Sequence, residues 1–163
     1  MTPDSRRIIT LLNENSVEYI VIGGVAMVAH GSAHATFDLD LCYRRSAENM
    51  TKLSSVLKPF HPRLRGAPRD LPFVFDAKTI KAGLNFTLAT DLGDLDLLGE
   101  VSGLGFFEAV LGASESSFVS GVNCRILSLE GLLRTKVAAG RKKDLNAIEE
   151  LKGLIDLKKR TGI

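Results

Sequence analysis

Asp38 and Asp40 stand two residues apart in the run Phe37-Asp38-Leu39-Asp40-Leu41-Cys42-Tyr43, where apolar and polar residues alternate. In an extended chain alternate residues share a face, so the spacing points both carboxylates one way, with Phe37, Leu39 and Leu41 on the other. Two adjacent carboxylates repel, and each raises the pKa of the other unless a cation neutralises them. Mg²⁺ suits such a pair, because it takes hard oxygen ligands and commonly binds one or two carboxylates together with substrate phosphates. A second alternating run, Asp94-Leu95-Asp96-Leu97-Leu98, repeats the pattern. If the two strands lie close, a third carboxylate joins the face, and three converging acids are costly without a metal. A single Asp-x-Asp, taken alone, is equally the solvated side of an exposed strand.

Gly23-Gly24 adds a second kind of chemistry. The pair follows the apolar run ending at Ile22 and precedes Val25 to His30, so it reads as a strand-to-helix turn. Glycines there let backbone amides approach a phosphate, and a helix start favours negative charge. The same pair also serves as a tight turn with no ligand at all. Lys136 and Lys143 are candidates to neutralise phosphates, although lysines on helices are usually solvated.

These residues need elements to position them. Asp4 or Ser5 caps a first helix with Ile8, Ile9, Leu11 and Leu12 at helical spacing. Val17 to Ile22 reads as a buried strand, Val25 to His30 as a short helix ended by His30 and Gly31, and Phe37 to Tyr43 as a strand with one polar face. Ser46 caps a helix to Leu57. Lys58 to Pro72 reads as irregular, punctuated by Pro59, Pro62, Pro68 and Pro72, with Arg63, Arg65 and Arg69 exposed. Leu84 to Leu88 and Asp94 to Leu98 form a hairpin through Asp91-Leu92-Gly93. A short helix over Phe106 to Leu111 and a strand over Gly121 to Leu127 follow. Two helices finish the chain, Ser128 to Ala139 and Lys142 to Lys159. This order suggests an α/β (α+β) fold, a small mixed sheet flanked by helices, in one domain spanning 1–163. Its core is expected over about 17–127 and its C-terminal helical pair over about 128–159.

Composition excludes several functions. A net charge of +2 does not demand a nucleic-acid partner, although basic residues crowd the last third. With no Trp and two Tyr there is no stacking platform for single strands. The sequence has no H-E-x-x-H, no cysteine cluster and no G-x-x-x-x-G-K-[ST] loop, and Ser32 and Ser117 lack the surroundings of a nucleophile elbow. Cys42 and Cys124 read as buried free thiols of a reducing compartment. Without a signal-like N-terminus or a membrane-length apolar run, a cytoplasmic protein with no membrane partner is expected.

The segments, in this order and spacing, resemble the nucleotidyltransferase superfamily. The match runs through Val21-Ile22-Gly23-Gly24-Val25-Ala26, His30-Gly31, Thr36-Phe37-Asp38-Leu39-Asp40-Leu41 and Gly93-Asp94-Leu95-Asp96-Leu97-Leu98. The stretch from Ser128 through Lys136, then Gly140-Arg141-Lys142-Lys143-Asp144-Leu145, resembles the helical end of small bacterial members. Among those members are proteins related to the toxins of toxin–antitoxin and abortive-infection systems. The resemblance covers roughly residues 17 to 155 and implies a nucleotidyltransferase-like (polymerase β-like) fold. It further implies two Mg²⁺ ions on Asp38, Asp40 and Asp96, with a nucleoside triphosphate (NTP) as substrate. Such enzymes transfer a nucleoside monophosphate to a hydroxyl of RNA such as tRNA, of a protein or of a small molecule, and release pyrophosphate. Gly23, Gly24, His34, Thr36, Lys136 and Lys143 would then contact the nucleotide, and Asp96 would also serve as base. Many relatives carry Ser at the place of Gly24 and Arg at the place of His34. This chain therefore offers only an amide, and an imidazole in place of a bidentate guanidinium. Two other roles fit the resemblance: a catalytically weak binding module acting through a partner protein, as in a toxin–antitoxin pair, and an antibiotic-type small-molecule modifier.

Overall fold

The computed structural model describes residues 3–33 and 36–162. Helix α1 spans Ser5–Glu14, and its Asp4 cap accepts the Arg7 amide at 3.1 Å while Ile8, Ile9 and Leu12 enter the core. Strand β1 (Tyr19–Ile22) is buried along its whole length, as a continuous β-branched run should be when both faces are covered. It leads without a loop into α2 (Gly23–Ala29), which His30 caps. Strand β2 (Asp38–Tyr43) and helix α3 (Ala47–Leu57) follow, the latter begun by the Ser46 hydroxyl accepting the Asn49 amide.

The expected irregular stretch after α3 holds a 3₁₀ turn (Lys58–Phe60) and a two-residue strand, β3 (Arg63–Leu64). Helix α4 (Ala77–Ala82), capped by Asp76, was not anticipated from the sequence because its single buried apolar residue, Ile80, sets no periodicity. The hairpin is β4 (Asn85–Thr90) and β5 (Gly93–Leu98), turning through Asp91-Leu92 as expected. A small hairpin, β6 (Glu100–Val101) and β7 (Gly105–Phe106), precedes α5 (Phe107–Gly112). Strand β8 (Ser114–Val119) is a further addition to the expected set. Its Ser-Glu-Ser-Ser start carries little strand signal, but it pairs along its whole length with β9 (Val122–Leu127), where Arg125 bonds Ser114 and Ser116. Helices α6 (Leu129–Ala139) and α7 (Leu145–Thr161), joined by a 3₁₀ turn at Lys142–Asp144, close the chain.

The main sheet has seven strands in the order β3-β4-β5-β2-β1-β9-β8. It is mixed: β1 runs antiparallel to β2 and parallel to β9, while β2 runs parallel to β5. Leu39, Leu41, Leu95 and Leu97 are fully buried beneath it. Phe37 departs from the expected alternation; it stands just before β2 and is 70% exposed. Cys42 and Cys124 are buried free thiols, and burial pushes them up to about 12 and about 11, so neither forms a thiolate near neutrality. No helix among the described residues is long and apolar enough to cross a membrane.

Candidate active site

The parallel β2–β5 pairing sets Asp38 beside Asp94 and Asp40 beside Asp96. Because side chains alternate along both strands, the register that buries the leucines lifts all four carboxylates to the opposite face. Oxygens of Asp38, Asp40 and Asp96 lie within 4.8 Å of one another. At that separation each like-charge pair costs about 3 kcal/mol at an effective dielectric of about 20.

Asp40 carries most of this strain. Burial, then the charges of Asp38 and Asp96, push its carboxyl up to about 8, against a smaller opposing pull from Lys136. Its Oδ1 is buried with no hydrogen-bond partner among the described residues. Asp96 is raised as well, first by burial, with Arg65 opposing and Asp38 adding to the shift. A buried acceptor left unpaired beside two further carboxylates, with no His or Cys in the group, suits a hard divalent cation.

Gly23 makes the close approach feasible. Its φ is +65°, and a Cβ there would run into Asp40 Oδ2. Gly24 is held differently: its missing Cβ would lie 2.9 Å from Thr36 Oγ1. Gly23 is therefore required by its packing on Asp40, and Gly24 leaves room for the Thr36 side chain, whatever their amides do for a ligand.

Beside Asp40 opens a cleft of about 400 Å³ whose walls include Gly23, Ser102, Thr135, Lys136 and Arg141. Lys136 Nζ lies 3.3 Å from Asp144 Oδ1, and Arg141 Nε lies 2.6 Å from Asp144 Oδ2. Asp144 is 5% exposed; burial pushes its carboxyl up, but the Arg141 and Lys136 contacts outweigh this and hold it below the ordinary range.

The residues singled out in sequence are only partly brought together. Asp38, Asp40, Asp96, Gly23 and Lys136 converge. Lys143 is exposed and lies outside the cleft walls, where Arg141 stands instead. Thr36 Oγ1 donates to the Asp38 carbonyl at 3.0 Å and lines a separate hollow with Val25, Val28 and Phe118. His34 lies outside the described residues. Arg65, expected to be exposed like Arg63 and Arg69, is instead half-buried among the carboxylates, 2.6 Å from Asp96 and 3.4 Å from Asp94. An Arg at the end of a proline-punctuated stretch gave no hint of this; its place follows from β3 pairing with β4, the neighbour of β5.

The chain has the nucleotidyltransferase fold. In particular, it is similar to the lincosamide antibiotic adenylyltransferase LnuA in its lincomycin-bound crystal structure, with a TM-score of 0.62 and 15% identity over 94% of this chain and 99% of that one. It is similar to the antibiotic-resistance factor ANT(2'')-Ia in solution, with a TM-score of 0.60 and 14% identity over 96% and 90% of the two chains. The same factor in complex with adenylyl-2''-tobramycin gives 0.59 and 14% identity over 97% and 96%. No protein-family profile and no curated protein matches the sequence.

Proposed function

We propose that the chain is a divalent-metal-dependent nucleotidyltransferase that moves a nucleoside monophosphate from an NTP to an acceptor hydroxyl. The observation that carries the reading is the Asp38–Asp40–Asp96 cluster, with an unpaired buried oxygen on Asp40, in a fold of this type. The three carboxylates would hold Mg²⁺, which supplies charge to stabilise the entering and leaving oxygens of an in-line displacement. Asp96 accepts the proton of the acceptor hydroxyl as its oxygen bonds the α-phosphorus. The bond from that phosphorus to the β-phosphate bridging oxygen breaks, and pyrophosphate leaves. Lys136 and Arg141, on the cleft wall, meet the outer phosphates, and Asp144 holds both cations in place.

A small-molecule hydroxyl is the acceptor class favoured here. The support is the likeness, over nearly the whole length, to a lincosamide antibiotic adenylyltransferase and to a factor seen with adenylylated tobramycin. RNA such as tRNA rests on the sequence resemblance and, less, on the basic C-terminal third, and a catalytically weak partner of a toxin–antitoxin pair rests on the sequence resemblance alone. One experiment separates them. Wild-type protein and an Asp38→Ala/Asp40→Ala variant are incubated with Mg²⁺, labelled NTPs, and either an aminoglycoside and lincosamide panel or total cellular RNA. Label reaching a small molecule with wild type only is the expected result. Label in RNA reassigns the acceptor. No transfer, together with no metal-dependent triphosphate binding by calorimetry, rejects the enzyme.

A further inference from the structure

The carboxylate face already contains a cation, and it belongs to the chain. Arg65 Nη2 donates to Asp96 Oδ1 at 2.6 Å and to the Leu88 carbonyl at 2.9 Å. Nη1 lies 3.8 Å from Asp38 Oδ2, and Nε lies 3.4 Å from Asp94 Oδ2. The Arg65 backbone is fixed, since its amide donates to Thr87 O at 3.0 Å beside the β3–β4 ladder. Only the side chain is free to shift. Asp94 is the one acid of the two Asp-x-Asp runs outside the close cluster, yet it stands on the same face beside Asp38 and within 3.4 Å of Arg65 Nε.

We infer that Arg65 is a positioning residue that stands in for the metal: it holds Asp96 and Asp38 while the site is empty, and yields Asp96 to an entering ion by falling back on Asp94. The inference rests on reading the β2–β5 face as a metal site. The physical case is competition. A guanidinium hydrogen on Asp96 Oδ1 engages an oxygen that a divalent ion would need, and its charge repels that ion at short range. Asp94 supplies a second resting place, so the guanidinium is not stranded when displaced.

Mn²⁺ titration of the folded, EDTA-stripped chain, by calorimetry and by the free-Mn²⁺ electron paramagnetic signal, tests this without any assay of turnover. Arg65→Gln is expected to bind Mn²⁺ about tenfold more tightly than wild type, Arg65→Lys to fall between, and Asp94→Asn to bind about threefold more weakly. The melting temperature in EDTA should drop in Arg65→Gln and recover more on adding Mn²⁺ than wild type does. A residue that merely stabilised the loop would weaken Mn²⁺ binding in both the Arg65 and the Asp94 variants. Asp94 is 40% exposed, so its substitution leaves a folded chain even if Arg65→Gln does not. Wild type binding Mn²⁺ with Arg65→Gln and Arg65→Lys no tighter overturns this inference and leaves the metal site standing. Binding in none of the chains overturns both.

Discussion

Asp40 lines the cleft and Asp144 lies behind its cationic wall; both are largely buried carboxylates, and they are managed in opposite ways. Asp144 is the more buried, yet Lys136 and Arg141 hold it ionised. Asp40 has an unpaired oxygen and two acids for neighbours, and keeps its proton up to about pH 8. Burial alone thus does not decide the charge of a carboxylate; its partners do. At Asp144 the chain supplies both partners and the acid is structural; at Asp40 it leaves one oxygen without a partner, open to a ligand.

The sharpest way to break this contrast is to remove Asp40 together with its neighbour Asp38. Asp38→Asn with Asp40→Asn should lower metal-dependent nucleotidyl transfer by about a hundredfold or more while the fold survives, as read by initial rates and circular dichroism. Next in size is Asp144→Ala. It strands two cations and should cost about 2 kcal/mol in urea unfolding, less than for a fully buried pair because Arg141 is half-exposed. Since the Asp144 carboxyl is held below its ordinary range, that difference should be full near neutrality and vanish as pH falls below the carboxylate range.

The opposite sign is expected at Asp40. Between about pH 4 and pH 8 the folded chain holds a proton on Asp40 that the unfolded chain releases, so its contribution to stability falls as pH rises. Asp40→Asn in EDTA should therefore melt higher than wild type at pH 8, by a few degrees, and about equally at pH 4. Mn²⁺ should cancel the advantage by stabilising wild type alone. The smallest effect comes from Gly140→Ala, at the left-handed residue that ends α6 before the Arg141–Asp144 turn. With φ at +63° and open space around the missing Cβ, it should cost about 1 kcal/mol and leave Mn²⁺ affinity unchanged.

Much of the fold was legible because its elements carry strong local signals. Ser46 and Ser128 cap the helices they were expected to cap, and the Asp-Leu alternation in β2 and β5 gave both strands and their polar face. The convergence of Asp38, Asp40 and Asp96 could be stated only as a condition on the two strands being neighbours. What remained hidden depends on tertiary pairing. Arg65 reaches the acids because a two-residue edge strand docks on β4, and so short a strand has no period to detect. Arg141 rather than Lys143 faces the cleft because the Lys142–Asp144 turn is 3₁₀ and not the start of the α-helix, which shifts which side chain meets Asp144.

The parallel register of β2 with β5 has a consequence for how the molecule folds. Its two strands are far apart in the chain, with α3, α4 and β4 between them, and pairing them closes a long loop while driving like charges together. Both costs fall on the same step, so this ladder should form late and set the folding rate. Arg65, which directly follows β3, arrives next to the β4–β5 hairpin and so carries its positive charge into the encounter with the first two acids. An arginine that later gives way to a metal would thus act first as the chain's own counterion for assembling the sheet.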